Sequence, residues 1–207
     1  MFRVLRQALH EGIYRPGDRL REEEIAQNLK VSRTPVREAF SRLQSKRLIE
    51  PGGAKGLTVR TLDLTEVLEL YAMREILEGA AARLAAQHAS SSELEALDDL
   101  LAAFEAHRSD AGEMARLNRL FHNGIVRAAR NRYLETALDE MQDGIGLLGA
   151  TTFAVADRPG TAIEEHRAIL RAIRERAPER AEALACAHIR EALRARRKLL
   201  HATSASW

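Results

Sequence analysis

The sequence predicts a mainly α-helical fold in two parts, a small N-terminal domain that contains a β-hairpin and a larger C-terminal domain built only from helices. Three observations lead to this prediction. Apolar residues recur at helical spacing along most of the 207 residues, strand-like segments occur only between residues 48 and 60, and basic residues concentrate near the N-terminus. We place the domain boundary between residues 61 and 62, which gives domains of residues 1–61 and 62–207.

The composition is typical of a globular protein, since hydrophobic residues make up 45% of the chain and charged residues 30%. The apolar stretches are far shorter than the roughly 20 residues that a membrane-spanning helix requires. No signal-peptide pattern follows Met1, and Cys186 is the only cysteine, so no internal disulfide can form. We therefore expect a cytoplasmic protein that makes no contact with membranes.

The net charge of +2 conceals an uneven distribution of charge. Residues 1–61 contain 13 Lys and Arg against 7 Asp and Glu, whereas residues 62–207 contain 19 against 23. A basic N-terminal domain suits contact with a polyanion, because cationic side chains replace the counterions of phosphate groups. A chance fluctuation of charge is the alternative explanation.

The N-terminal domain is predicted to contain three short helices followed by the hairpin. Gly12 stops the first helix, and Ser32 stands at the N-cap position of the third, with Pro35 in its first turn where a missing N–H costs little. A glycine-rich tip joins the two strands. The expected helices are residues 2–11, 22–29 and 33–46, and the expected strands are residues 48–50 and 57–60.

The second and third helices are separated by three residues, which is the spacing of a helix-turn-helix. In this motif the second helix enters a DNA major groove and must present long cationic side chains. Arg33, Arg37 and Arg42 project from the predicted third helix. Arg33 and Arg37 are the candidates for reading bases, because a guanidinium group can pair with two acceptors of guanine at once. The alternative is that these arginines form an ordinary solvated helix face.

Four further residues are candidates for DNA contact. Ser32 and Thr34, at the N-terminus of the third helix, can hold a phosphate with help from backbone amides. Lys55 and Gly56, in the hairpin tip, can reach an adjacent minor groove. By spacing alone this pattern is short and degenerate.

The C-terminal domain is predicted to be a six-helix bundle. Strand signals are absent after residue 61, and abundant alanine favours helices that pack closely. The helices are expected at residues 64–88, 92–108, 111–129, 132–154, 162–176 and 178–201.

Three histidines of this domain are expected to point inward from three different helices. These are His122, with Asn118 one turn earlier on the same face, His166 and His188. Buried imidazoles need partners, and three of them can share one divalent cation such as zinc. The alternative is that each is a core histidine with its own hydrogen bonds.

The N-terminal segment closely resembles the GntR family of bacterial regulators. The matching stretches are residues 16–22 (PGDRLRE), 31–39 (VSRTPVREA), 42–43 (RL) and 48–50 (LIE). The resemblance implies a winged helix-turn-helix that binds a palindromic operator as a dimer. Lys30 departs from the family pattern, because it fills a turn position where glycine is common, and it costs little there if its φ angle stays negative.

Residues 64–201 resemble the FCD ligand domain of the FadR branch of this family, and six helices indicate the VanR-like subgroup. The matching stretches are residues 74–78 (REILE), 118–122 (NRLFH), 131–134 (NRYL), 165–169 (EHRAI) and 187–189 (AHI). The resemblance implies that a divalent metal of the Zn, Ni or Mn type is bound by Asn118, His122, His166 and His188. A neutral asparagine amide is a weaker ligand than the aspartate common in the family.

The resemblance also implies that open metal positions take a small carboxylate effector. Arg74 is the candidate counter-charge for this anion, because the rest of its helix interior is apolar. The alternative for Arg74 is a salt bridge to Glu78 one turn later, which contributes little if it is exposed.

We therefore predict a homodimeric transcription regulator that binds double-stranded operator DNA and is not an enzyme. Repression is the working hypothesis for its action, and activation is the alternative. One alternative is a metal-dependent hydrolase, which would need a general base near the histidines. Glu165 precedes His166 and should lie about 100° away around the helix. The other alternative is a structural DNA-binding protein without a ligand.

Overall fold

The computed structural model describes residues 1–52 and 56–204. It divides into two compact units. The N-terminal unit contains Met1–Val67 and Glu140–Gly149, and the helical unit contains Leu68–Asp139 and Ala150–Trp207. The boundary between residues 61 and 62 stays a prediction, and each unit is described below by itself.

The N-terminal unit has the predicted three helices and hairpin, together with a short strand that the sequence did not predict. That strand pairs with one arm of the hairpin, so the antiparallel sheet has the order β1-β3-β2. Arg19 lies opposite Thr58, and Ile49 lies opposite Val59. The elements are α1 (Phe2–His10), β1 (Arg19–Leu20), α2 (Glu22–Asn28), α3 (Arg33–Ser45), β2 (Ile49–Pro51) and β3 (Leu57–Val59).

The core of this unit holds α3 against the sheet and the other helices. Val36 and Leu43 are completely buried, and Phe40 lies on the same face of α3. Because this face is apolar and the opposite one is polar, burial fixes which side of α3 remains in solvent. Leu5, Leu9, Ile25, Ile49, Val59 and Leu147 complete the core.

The backbone at Lys30 differs from the sequence expectation. Its φ angle is +54°, in the left-handed region, and not negative as expected. The turn between α2 and α3 requires this conformation, and a side chain with a Cβ adopts it only at an energetic cost. Lys30 therefore carries local strain where glycine would not.

The C-terminal part of the chain has six helices among its described residues, as predicted. The helix starts are well capped, since Ser90 and Glu93 form a capping box and the Asp110 side chain accepts two backbone N–H bonds. The elements are α4 (Leu64–His88), α5 (Ser91–Ala106), α6 (Ala111–Ala128), α7 (Arg132–Gly146), a 3-10 turn (Thr152–Ala154), α8 (Arg158–Arg174) and α9 (Pro178–Ser204).

Two predicted helix limits were wrong. The helix expected at residues 132–154 ends at Gly146, and Gly149 with φ +72° cannot continue it. The next helix begins at Arg158 rather than residue 162, because Pro159 is accommodated in its first turn. The segment between these helices is therefore a turn, and it brings Arg158 into the bundle interior, where it is 5% exposed.

Small residues allow the helices of the helical unit to approach closely. A Cβ added at Gly79 of α4 would lie 2.6 Å from Cys186 Sγ of α9, and one at Gly124 would lie 2.8 Å from Leu97 Cδ2. Phe104, Met114, Phe121 and Ile173 are fully buried in the core of this unit. Among the described residues, none of the helices combines the length and the apolar character that crossing a bilayer demands.

Candidate metal centre and DNA-binding surface

The structure brings the three predicted histidines together inside the helical unit. His122 comes from α6, His166 from α8 and His188 from α9, and one ring nitrogen of each lies within 4.8 Å of those of the other two. His166 is completely buried and His188 nearly so. Three helices therefore present their imidazoles to one point, which spacing along the chain alone could not establish.

Several polar atoms around this point have no hydrogen-bond partner among the described residues. They are Asn118 Oδ1, His122 Nε2 and both ring nitrogens of His166. An unsatisfied buried polar group costs about 1–3 kcal/mol in protein mutational data, so a cluster of such atoms is suited to bind a ligand or an ion. The set includes Asn118, the fourth residue of the predicted metal site.

Glu78 of α4 lies beside His122. Its Oε2 is 2.6 Å from His122 Nδ1, and its Oε1 accepts a 2.9 Å hydrogen bond from Arg74 Nε. Burial alone would raise the pKa of this carboxyl group, but Arg74 and the hydrogen-bonded His122 lower it well below its usual range. Glu78 is therefore an anion at the edge of the histidine cluster, which the sequence reasoning considered only as a partner of Arg74.

Arg74 forms the salt bridge that the sequence analysis gave as its alternative role. The pair with Glu78 is buried rather than exposed, since the two side chains are 10% and 9% exposed. The Arg74 guanidinium also lies 5.0 Å from the centre of the Tyr71 ring. Whether Arg74 binds an effector stays a prediction.

A second glutamate, Glu165, contacts the cluster from α8. Its Oε2 accepts a 2.7 Å hydrogen bond from His188 Nδ1 and a 2.8 Å bond from Arg158 Nη1. Burial raises the pKa of this carboxyl group, although Arg158 acts in the opposite direction. From the sequence, Glu165 was expected about 100° away from His166 around the helix. That position did not predict its contact with His188, which belongs to another helix.

His166 and His188 are suited to act as neutral ligands. Burial lowers the pKa of His166 and of His188 well below the ordinary value, and the neighbouring His122 and Arg158 act in the same direction. At neutral pH both imidazoles therefore keep a lone pair, which metal coordination requires.

A cavity of about 10 Å³ lies beside the cluster and is lined by Glu78, His122 and apolar side chains of α4, α6, α8 and α9. This volume is close to the minimum that holds one water molecule. An organic acid could not enter without movement of the lining side chains or helices.

The outer face of α3 is exposed, as a groove-binding helix requires. Ser32, Arg33, Thr34, Arg37 and Arg42 all lie in solvent-exposed positions. Ser32 occupies the N-cap position of α3, but its side chain makes no capping hydrogen bond, so its hydroxyl is not engaged there. The helix is formed as predicted and its polar face is not packed away.

The two candidate base-reading arginines are paired with glutamates of α2. Arg37 Nη2 lies 3.1 Å from Glu22 Oε2, and Arg33 Nη1 lies 2.9 Å from Glu23 Oε1. These pairs are exposed, so they contribute little stability and can exchange with other anions. The glutamates were not identified from the sequence.

The remaining candidates for DNA contact are Arg42, Gly56 and Lys55. The Arg42 guanidinium lies 4.3 Å from the centre of the Phe2 ring. Gly56 lies in the hairpin, where an added Cβ would be 2.9 Å from Arg19 Nε. Lys55 lies outside the described residues.

Two protein families match the two parts of the chain. Residues 2–59 match the bacterial regulatory proteins of the gntR family, and residues 69–191 match the FCD domain. The chain therefore belongs to the GntR family of transcriptional regulators, in the group that carries an FCD domain. The predicted family and fold class are confirmed.

Individual relatives agree with this assignment. The HTH-type transcriptional regulator YdhC of Bacillus subtilis is 29% identical over 190 residues, which cover 90% of this chain and 85% of YdhC. A Paenarthrobacter nicotinovorans protein named "Probable D-xylose utilization operon transcriptional repressor" is 36% identical over 179 residues, covering 84% and 76%. The chain is accordingly a transcriptional regulator and not an enzyme, which sets aside the hydrolase alternative.

A solved structure supports the fold. Escherichia coli McbR/YncC superposes with a TM-score of 0.86 at 23% identity, and the match covers 96% of each chain. At this identity the likeness concerns the architecture alone.

Proposed function

We propose that this protein is a homodimeric, cytoplasmic repressor whose affinity for operator DNA is controlled by a small carboxylate effector bound near a divalent metal. The observation that carries the proposal is the cluster of polar atoms without hydrogen-bond partners at Asn118, His122 and His166 within an FCD domain. The exposed arginine face of α3 supplies the DNA-binding part. The relative from Paenarthrobacter nicotinovorans is named as a repressor, which favours repression here.

The residues fit a metal of the Zn, Ni or Mn type. Three neutral imidazoles and one amide oxygen are ligands that such borderline cations accept. Asn118, His122, His166 and His188 would hold the ion. When bound, the ion would supply a fixed positive charge and open coordination positions for a carboxylate.

Two buried guanidinium groups adjoin the cluster and can balance the charge of an anionic effector. Arg74 is one, but Glu78 already neutralises it. Arg158 is the other, and its Nε atom is buried without a hydrogen-bond partner among the described residues. Arg74 remains the proposed effector contact, and its guanidinium would have to interact with both Glu78 and the effector.

The homodimer is supported by an apolar stripe on α4. Leu68, Met73 and Ile76 are exposed along one side of this helix, and Ile76 is 61% exposed. Large apolar side chains grouped on a surface usually mark an interface. Two copies of the stripe would form a self-complementary contact about a two-fold axis, which suits a palindromic operator.

A gel-shift experiment with the intergenic DNA upstream of the gene tests the proposal. The metal-loaded protein should retard this DNA at moderate salt, and addition of the correct organic acid from a thermal-shift screen should release it. If the folded dimer does not retard this DNA, the proposed binding to an operator upstream of the gene is contradicted. If no acid stabilises the protein, a ligand-free DNA-binding protein becomes the better description.

A further inference from the structure

Glu165 and His166 are adjacent in sequence, but they have different places in the histidine cluster. His166 itself lies in the cluster, whereas the Glu165 carboxylate reaches across to His188 of α9. Arg158, in the first turn of α8, holds Glu165 through a 2.8 Å bond and also binds Thr161 Oγ1 at 3.2 Å. The carboxylate is thus fixed between one cation and one imidazole.

This arrangement determines which nitrogen of His188 carries the proton. A carboxylate can only accept, so His188 Nδ1 must donate to Glu165 over their 2.7 Å separation. Arg158 Nη2 is 3.4 Å from the same Nδ1, which is long for a hydrogen bond, and it cannot donate to a nitrogen that already bears hydrogen. A neutral His188 therefore keeps its lone pair on Nε2.

His166 lacks such control. Both of its ring nitrogens are without partners among the described residues, and its ring is held by stacking on Phe121 at 4.5 Å and by contact with Phe104 at 5.0 Å. Packing orients the His166 ring but does not choose its tautomer. The tautomer of His188 is instead fixed by a carboxylate, which is how proteins commonly orient metal-ligating histidines.

We propose that Glu165 is a positioning residue of the metal centre, which holds His188 as the Nδ1–H tautomer so that Nε2 is available to a divalent cation. Arg158 keeps the Glu165 carboxylate in place. This inference rests on the proposed metal binding and adds to it a residue outside the ligand set.

The first test uses the metal-free protein. Long-range ¹H–¹⁵N correlation spectra of the histidine rings should show His188 as the Nδ1–H tautomer in the wild type. The variant Glu165→Gln is nearly isosteric, but its amide can donate to Nδ1, so the population of the Nε2–H tautomer should rise. Glu165→Ala removes the partner and should also lose the preference. Glu164→Gln is the matched control, because Glu164 is the exposed neighbour that pairs with Arg167.

The second test measures metal affinity. Competition between the protein and a chromophoric chelator for Zn²⁺ should give a dissociation constant about 10- to 100-fold weaker for Glu165→Gln than for the wild type. Glu164→Gln should bind as the wild type does. The visible spectrum of bound Co²⁺ should change in Glu165→Gln only, and similar melting temperatures of the metal-free variants would exclude a general loss of structure.

The outcomes separate the two proposals. If the wild type binds Zn²⁺ and Glu165→Gln binds equally well with an unchanged tautomer, Glu165 has no positioning role and the metal centre stands. A His188 Nε2–H tautomer in the wild type would overturn the inference as well. If the wild type binds none of Zn²⁺, Ni²⁺ and Mn²⁺, the metal centre itself is refuted, and with it any role of Glu165 toward a cation.

Discussion

Asp143 shows how one side chain can connect separate segments of the N-terminal unit. It lies near the end of α7, and its carboxylate is 2.5 Å from Arg6 Nε, 3.1 Å from His10 Nε2 and 3.3 Å from Lys46 Nζ. Burial tends to raise the pKa of Asp143, but the hydrogen bonds from His10 and Arg6 are stronger and lower it from 3.8 to about 2. The carboxylate is thus an anion held by Arg6, Lys46 and the His10 ring.

The lowered pKa of Asp143 predicts a specific dependence of stability on pH. The folded state binds this proton less readily than the unfolded state, so the stabilisation is present above pH 3.8 and is lost as the pH falls toward 2. Urea unfolding should show the wild type roughly 2 kcal/mol more stable than Asp143→Asn at neutral pH, with the difference shrinking between pH 4 and 2.

The matched control for this experiment is Asp98→Asn, because Asp98 pairs with Arg174 on the exposed surface. Its effect should stay within about 0.5 kcal/mol at every pH. A difference between wild type and Asp143→Asn that remains constant down to pH 2 would contradict the assignment of the pKa shift.

Lys30 gives a second prediction at the level of single residues. Because its φ angle is +54°, replacement by glycine should relieve strain and raise the free energy of unfolding by about 1 kcal/mol. The same replacement at the exposed Glu38, in the interior of α3, should lower it by about 1 kcal/mol. Urea titrations measure both effects, and a loss of stability in Lys30→Gly would show that the lysine side chain contributes more than its backbone costs.

Among the elements, α3 is the helix that we propose for the recognition of DNA. Its apolar face is buried through Val36 and Leu43, so Arg37 is held on the opposite, exposed side. A bidentate contact of arginine with guanine is worth about 1–3 kcal/mol of discrimination.

The variant Arg37→Ala should therefore bind operator DNA about 10- to 100-fold more weakly than the wild type, with a smaller loss on unrelated DNA. Fluorescence anisotropy at one fixed salt concentration measures both affinities. Arg174→Ala, which removes an exposed arginine of the helical unit, is the control and should bind as the wild type does. An equal loss on both DNAs would mean that Arg37 contacts phosphate rather than bases.

The helices could be predicted from the sequence where local signals were strong. The limits of α4 were predicted correctly as residues 64–88 because the segment is rich in Ala, Leu and Glu, which are strong helix formers, and contains no proline. The end of α7 was missed because Gly149 acts through a backbone angle that the pattern of apolar residues does not report. The strand β1 was missed because two residues give no period, and only pairing with β3 defines it.

The candidate site was predictable only in part for a similar reason. His122, His166 and His188 each showed an inward position on its own helix, and the family resemblance grouped them. Glu78 and Glu165 could not be assigned to histidines, because their contacts cross between helices and depend on how those helices pack. Periodicity describes one helix at a time and contains no such information.

For the whole molecule, the apolar stripe on α4 predicts the oligomeric state. Ile76→Asp should reduce the mass measured by light scattering from twice the chain mass to the single-chain value of 23.1 kDa, because a buried carboxylate would be unpaired at the interface. Ile13→Asp is the control, since Ile13 is 63% exposed and lies in the N-terminal unit. A dimer that survives Ile76→Asp would place the interface on another surface.

The small cavity beside His122 has a consequence for how quickly the regulator could respond. Because the cavity has space for about one water molecule, an organic acid could enter it only when the helices of the bundle move apart transiently. The observed rate of effector binding would then level off as the acid concentration rises. The apparent Kd would equal the intrinsic Kd divided by the fraction of molecules in the open state. Shortening an apolar side chain of the cavity wall, such as Ile125, would lower the acid concentration needed for a response without changing any group that contacts the acid.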